Sequence, residues 1–254
     1  MGAETRLPQS LADNPVLQVL VGRRSCRKFE KRDVPEHVFN AILEAARLAP
    51  STVNLQTWTL GLFTKLEWRE KFKQPIPFGA NRAVIIMADS CRFRAAMDDF
   101  PFKPLVEYTL SVVNASIAAY AMNIAAEACG VASVMLSETG KSGFYDARFL
   151  KKTLALPDGV FPLMTVVFGY PRGKPLGMPP KLPIEEITFR GSYKQPDAGV
   201  MESWLNQMIA GYRAANLTGS LHKRLRQYLS KADTAEQELK ELIFHHPEEF
   251  KLKI

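Results

Sequence analysis

Cysteine and histidine are scarce in this chain, with three and four residues respectively among 254. Cys26, Cys91 and Cys129 are widely spaced and odd in number, which excludes a disulfide framework and a CxxC metal clip and fits a reducing compartment. None of His37, His222, His245 and His246 falls in the HExxH spacing, and no metal site is expected, the adjacent His245 and His246 included. The common nucleotide and nucleophile signatures are missing too. No GxGxxG follows a strand, no GxxxxGKS/T occurs, and Gly140–Gly143 is one residue short of GxSxG. A Rossmann domain is therefore not expected. No run approaches the roughly 18 uninterrupted apolar residues of a membrane span. The longest weakly polar stretch, Ser111–Cys129, is interrupted by Asn114, Asn123 and Glu127 and reads as a buried helix. Met1–Asn14 lacks the basic-then-apolar order of a signal peptide. A cytoplasmic protein with no membrane partner is the expectation.

What is present is ordinary for a globular protein: 46% apolar and 23% charged residues, in a chain long enough to bury a sizeable core. The formal net charge of +7 allows either nucleic acid or a phosphorylated cofactor as partner. The cations are scattered apart from Arg23–Arg32, and no helix-turn-helix, zinc or RNP pattern appears, so no nucleic-acid partner is expected.

The apolar periodicity predicts a helix from Pro15 to Gly22 with Asp13 or Asn14 as cap, and a second from Pro35, carrying Val38, Phe39, Ile42, Leu43 and Ala46, stopped by Pro50. Strands are expected at Thr59–Thr64, Ala83–Ala88, Ala132–Leu136 and Pro162–Phe168. Helices are expected at Leu66–Lys73, at Val106–Ala128 ending in Gly130, and near Tyr145–Leu154. Asp98–Pro104 reads as an irregular loop and Pro171–Pro183 as a connector. The order argues for an α+β sandwich around one central sheet. Beyond Gln195 the composition changes. Two amphipathic helices, around Trp204–Tyr212 and Leu221–Leu229, and a short third around Leu239–Ile243 are expected. The domain reading is a core over 1–194 and a helical extension over 195–254 that packs on the core or on a partner subunit.

The sharpest local feature is Arg23-Arg24-Ser25-Cys26-Arg27-Lys28-Phe29, directly after a helix. Clustered cations and a hydroxyl suit a phosphate, whose oxygens accept charge-assisted hydrogen bonds, and in extended backbone Arg23, Ser25 and Arg27 share one face. A solvated basic turn is the plain alternative. Cys26, set among arginines, is a candidate for a lowered thiol pKa. The second feature is Pro50-Ser51-Thr52-Val53-Asn54-Leu55-Gln56, whose side chains suit the polar edge of a flavin or a nucleobase, or simply cap their own loop.

Together, in this order, these segments resemble the opening of the nitroreductase family of FMN enzymes. The resemblance continues in the Ala-rich helix ending at Gly130, in the strand Ala132–Leu136 followed by Ser137-Glu138-Thr139-Gly140, and in Pro180-Lys181-Leu182-Pro183. It implies a mostly antiparallel central sheet flanked by helices, and a domain-swapped homodimer with FMN at the interface. It further implies Arg23, Arg24, Ser25, Arg27 and Lys181 on the FMN phosphate and ribityl chain. Pro50, Ser51, Thr52, Asn54 and a supporting Gln56 would reach a flavin held mainly by the other subunit, and Glu138, Thr139 and Gly140 would lie beside its ring. Two positions depart from the family pattern. Prolines (Pro179, Pro180) precede Lys181, and Thr57 stands where a proline usually separates Gln56 from Trp58. The implied activity is ping-pong hydride transfer from NADH or NADPH through FMN to a nitroaromatic, quinone or flavin acceptor, with no catalytic side chain. Phe93, Phe100, Phe102 and Tyr108 are candidates for a substrate lid. A dehalogenase-like or flavin-fragmenting relative, or a non-catalytic FMN-binding protein, is the alternative, since fold alone does not fix a reaction.

Overall fold

The computed structural model describes residues 7–92, 103–173, 177–214 and 220–244. Its frame is a sheet of β1 (Trp58–Thr64), β2 (Arg82–Asp89), β3 (Ala132–Leu136) and β4 (Val160–Gly169) in the order β1-β2-β4-β3, every pair antiparallel. The β-branched run in β2 explains its central place, because side chains of alternate residues serve opposite faces. Val84, Ile86 and Ala88 join one core cluster, while Ala83, Ile85 and Met87 join the other. Pro162 sits inside the second central strand, which a proline tolerates only where the ladder is broken. A register shift opposite Ile86/Met87 supplies that break.

The helices α1 (Pro15–Gly22), α2 (Glu36–Arg47), α3 (Lys65–Phe72), α4 (Pro104–Ala128) and α5 (Ala147–Leu154) lie on these two faces. Asn14 caps α1, accepting from the Val16 and Leu17 N–H groups, so it and not Asp13 is the cap. Thr64 and Glu67 form a reciprocal capping box at the start of α3. On one face, Phe39, Ile42 and Ala46 of α2 meet Ala115, Ala118, Ala119, Met122 and Ala126 of α4, whose small side chains let the two helices approach. On the other face, Trp68 and Phe72 of α3 and Leu150 of α5 close the second cluster. Gly130 (φ +67°) ends α4, and the Val131 N–H reaches back to the Ala126 carbonyl, a Schellman closure.

Among the described helices, only α4 is long and apolar enough to cross a membrane by length and composition. Here its small buried face packs on α2 and the sheet. The opposite face leaves an exposed apolar stripe of Val106, Val113, Ile117 and Tyr120 at helical spacing.

After the core come α6 (Ala198–Ala214) and α7 (Leu221–Phe244). The short third helix expected near Leu239 is the last part of α7, which runs unbroken. No glycine or proline interrupts 221–244, and Glu236–Lys240 adds an i,i+4 pair. α7 packs on its own chain: Leu221 and Ala235 are buried, Leu242 and Ile243 rest on the α2–α4 cluster, and Arg148 meets Glu241. α6 buries no residue fully. One of its ties is the Trp204 indole N–H, which donates to the Pro180 carbonyl at 3.2 Å.

Candidate functional site

The basic segment leaves α1 and runs beside β3 as an extra, one-bridge strand. Ser25 pairs with Ser133, and the Cys26 N–H donates to the Ser133 carbonyl at 3.0 Å. Cys26 and Phe29 pack toward the second core cluster, while Arg23 and Ser25 are half-exposed and Arg27 is exposed. Among the described residues these three side chains make no hydrogen bond or ion pair, which leaves them available to an anion. Arg24 behaves differently. Its Nη1 donates to the carbonyls of Val21, Gly22 and Arg23, so its guanidinium closes the C-terminus of α1, where a cation also suits the helix dipole. Glu127 lies near this segment. Burial pushes its carboxyl up, and Arg23 and Arg24 oppose that shift.

The expected lowering of the Cys26 thiol is not found. Burial pushes it up, and this outweighs the Lys28 carbonyl contact and the nearby Arg27 charge. Cation density in the sequence did not show that Cys26 faces inward.

The Ser51–Gln56 loop is held by a residue that the sequence reading noted only as a polar interruption. Buried Asn114 of α4 accepts from the Thr52 N–H (3.2 Å) and Thr52 hydroxyl (3.3 Å), and donates to the Thr57 hydroxyl at 2.8 Å. Ser51 Oγ accepts from the Gln56 N–H, and the Gln56 amide reaches the Asn54 carbonyl. Val53, Asn54 and Gln56 all have positive φ. For β-branched Val53, 87% exposed, that conformation is costly and serves no packing. The loop therefore presents Asn54 and its own backbone outward.

The third segment follows β3. Gly140 (φ +74°) accepts from the Gln74 amide at its carbonyl, and the Ser142 carbonyl accepts from buried Thr165. Gly143 has no room for a side chain, since a Cβ would lie 2.7 Å from the Ser137 carbonyl oxygen and 2.9 Å from that of Leu163. Glu138, nearly buried, bonds Lys231 Nζ (2.7 Å) and Arg224 Nη2 (3.3 Å), and Arg224 also donates to the Thr139 hydroxyl. Among the described residues, the Thr139 and Gly140 N–H groups have no partner. They are free donors at a fixed turn.

Strand register locates these segments relative to one another. Ser25–Ser133–Phe168–Arg82–Thr64 is one row across the sheet. Thr139 and Gly140 follow β3 in the turn after its last residue, Leu136. FMN carries a phosphate at one end and a ring with hydrogen-bond acceptors at the other. The donor set also suits it: uncommitted guanidinium groups and a hydroxyl at one end, free N–H groups at the other. The Ser51–Asn54 loop precedes β1 at the opposite edge and the opposite strand end. Its Thr52 is held on Asn114 of α4.

Lys181 is exposed. The Tyr108 ring packs edge-to-face on Phe161 at 5.0 Å against the core, and burial raises its hydroxyl pKa. Phe93, Phe100, Phe102, His245 and His246 lie outside the described residues. Within the described residues no His/Cys/Asp/Glu group is placed to hold a metal. Arg224 and Lys231 went unread in the sequence, although their seven-residue spacing puts them on one helix face.

The sequence profile described as the Nitroreductase family matches residues 20–76 and 63–170. The FMN reductase [NAD(P)H] of Bacillus subtilis is 28% identical over 195 residues, covering 72% of this chain and 76% of its own length. The oxygen-insensitive NADPH nitroreductase of Salmonella typhimurium is 24% identical over 205 residues, covering 78% and 83%. Among solved structures, the NADPH:FMN oxidoreductase of Vibrio harveyi complexed with NAD+ has the same fold, with a TM-score of 0.70 at 19% identity, covering 85% of this chain and 92% of its own.

Proposed function

The chain belongs to the nitroreductase family, and from that premise we propose that it is an FMN-dependent NAD(P)H oxidoreductase, soluble and cytoplasmic, working as a homodimer. The observation that carries the reading is the β3 edge, with free cationic and hydroxyl donors at Arg23, Ser25 and Arg27 and free N–H donors at Thr139 and Gly140. When bound, FMN supplies the redox chemistry, taking a hydride from NADH or NADPH and passing it to a nitroaromatic, quinone or flavin acceptor in a ping-pong cycle.

The residues of the chain bind and orient. Arg23, Ser25 and Arg27 neutralise the phosphate, and Lys181 approaches it as a further cation. The Thr139 and Gly140 N–H groups donate to the ring and favour the charge that builds on it during reduction. Pro50, Ser51, Thr52 and Asn54, with Gln56 bracing their loop, reach the ring from a second copy. The exposed stripe of Val106, Val113, Ile117 and Tyr120 supplies an apolar face for that copy to cover.

The test is the visible spectrum of the purified protein, followed by anaerobic addition of NADH or NADPH. Flavin bands that bleach and return with a nitroaromatic or quinone support the reading. Bands that do not bleach turn it toward a flavin protein of other chemistry, and a protein that stays colourless after incubation with FMN overturns it.

A further inference from the structure

The nearly buried Glu138 carboxylate has two cations on it, both from the C-terminal extension. Arg224 and Lys231 stand seven residues apart, two turns along one face of α7. Tyr228 lies between them. Its ring meets Tyr145 at 5.6 Å, and the Arg224 guanidinium lies 5.3 Å over it, so Arg224 is held by the ring as well as by charge. Arg224 Nη2 also bonds the Thr139 hydroxyl. Gln74 fixes the Gly140 carbonyl from the other side. The groups of this turn that could face inward are thus committed, and the Thr139 and Gly140 N–H groups are those left over. Asp146 completes the electrostatic neighbourhood. One of its carboxyl oxygens is buried without a hydrogen-bond partner, and it feels Lys231, Glu138, Lys141 and Glu238.

We propose that Arg224 and Lys231 are positioning residues for the flavin. Through Glu138 and Thr139 they aim the N–H groups of the turn at the ring, and their excess positive charge favours the reduced, anionic form. This rests on the functional reading above, in which the turn lies beside the ring. A charged group close to the ring tunes its electronics without touching it.

The experiment compares wild type with Lys231→Met, Lys231→Arg and Glu138→Gln in three readouts: affinity for oxidised FMN by fluorescence quenching, the midpoint potential of bound FMN, and amide exchange at residues 138–140. Lys231→Met removes a cation and is expected to lower the preference for reduced over oxidised FMN about tenfold, which is about 30 mV for a two-electron couple. Glu138→Gln keeps the acceptor oxygen but frees the two cations, so the potential is expected to rise by a similar amount. Lys231→Arg is expected to restore wild-type behaviour. Opposite signs separate electrostatic tuning from simple loosening, which moves both variants the same way and speeds exchange in both. Equal or absent shifts in a protein that binds FMN overturn the positioning role alone. A wild-type chain that takes up no FMN overturns the functional reading and this inference with it.

Discussion

Replacing Asn114 with leucine tests whether the Ser51–Gln56 loop is built by the central helix. The two side chains are similar in size, so Asn114→Leu removes polar atoms without opening a large cavity. Three hydrogen bonds disappear: two from Thr52 and one to the Thr57 hydroxyl. They are not equal. Thr57 is fully buried, and a hydroxyl left unpaired there costs about 1–3 kcal/mol. Thr52 is exposed, so water replaces its lost partner and the loss is about 0.5–1.5 kcal/mol. The total is about 1.5–4.5 kcal/mol. For a protein of this size each kcal/mol lowers Tm by roughly 2–4 °C, giving a drop of about 3 to 18 °C by calorimetry. The loop should then lose its left-handed conformation at Val53 and Asn54, because the hydrogen bonds that remain to Ser51 lie within the loop itself. FMN affinity should fall together with Tm. A melting temperature within a degree or two of wild type would show that the loop holds its shape without Asn114, and the reasoning would be wrong.

Gly143→Ala places a Cβ against backbone on two sides, 2.7 Å from Ser137 and 2.9 Å from Leu163. Backbone cannot rotate away, so a loss of roughly 1–3 kcal/mol is expected in chemical denaturation; an unchanged midpoint would refute it. Burial, the largest influence, raises the Asp146 carboxyl pKa, with Lys231 opposing and Glu138 adding. The folded state therefore holds that proton more tightly than the unfolded state. Stability is fully present below the unfolded carboxyl value and is lost as pH rises through the raised folded value. Asp146→Asn should accordingly melt above wild type at neutral pH, with the gap closing in acid, whereas a gap independent of pH would count against it. Arg24→Ala, which removes a helix-end contact, should lower Tm more than Arg27→Ala, while Arg27→Ala should weaken FMN binding more. The reverse ranking in paired melting and titration experiments would return Arg24 to the phosphate.

Much of the fold was legible because local and global signals agreed. The β-branched run in β2, the apolar spacing of α2, Asn14 before Pro15 and Gly130 after α4 each specify an element within a few residues. The basic segment and the polar loop were legible as motifs, yet their roles depended on parity and register, which a linear sequence carries weakly. Arg24 shows this: four neighbouring cations look alike until the end of α1 claims one of them. Cys26 shows it again, since its inward direction follows from the bridge to Ser133, a partner more than a hundred residues away. Glu138 was found through its place after β3, but its cations come from α7, beyond the family's motifs. Long-range ion pairs between a loop and a distant helix have no local pattern to betray them.

The proposed function has a consequence for how many chains make one site. Ser25 lies beside β3 at one edge of the sheet, and the Ser51–Asn54 loop precedes β1 at the other. If the two segments serve one flavin from different copies, a two-fold dimer contains two sites, each drawing one segment from either chain. Complementation separates this from a site made within one chain. Take Arg27→Ala to break the first segment and Asn54→Ala to break the second, each expected to bind FMN poorly as a pure protein. Co-expressed in equal amounts with random pairing, about half of the dimers are mixed. In each mixed dimer one site collects both defects and the other collects none. About a quarter of all sites should therefore regain wild-type affinity, read as a tight phase in an FMN titration. Each protein alone should show no such phase. A mixture that behaves as the plain average of its components would mean that the two segments do not meet across an interface, and the loop at Asn54 would then need another purpose for its strain.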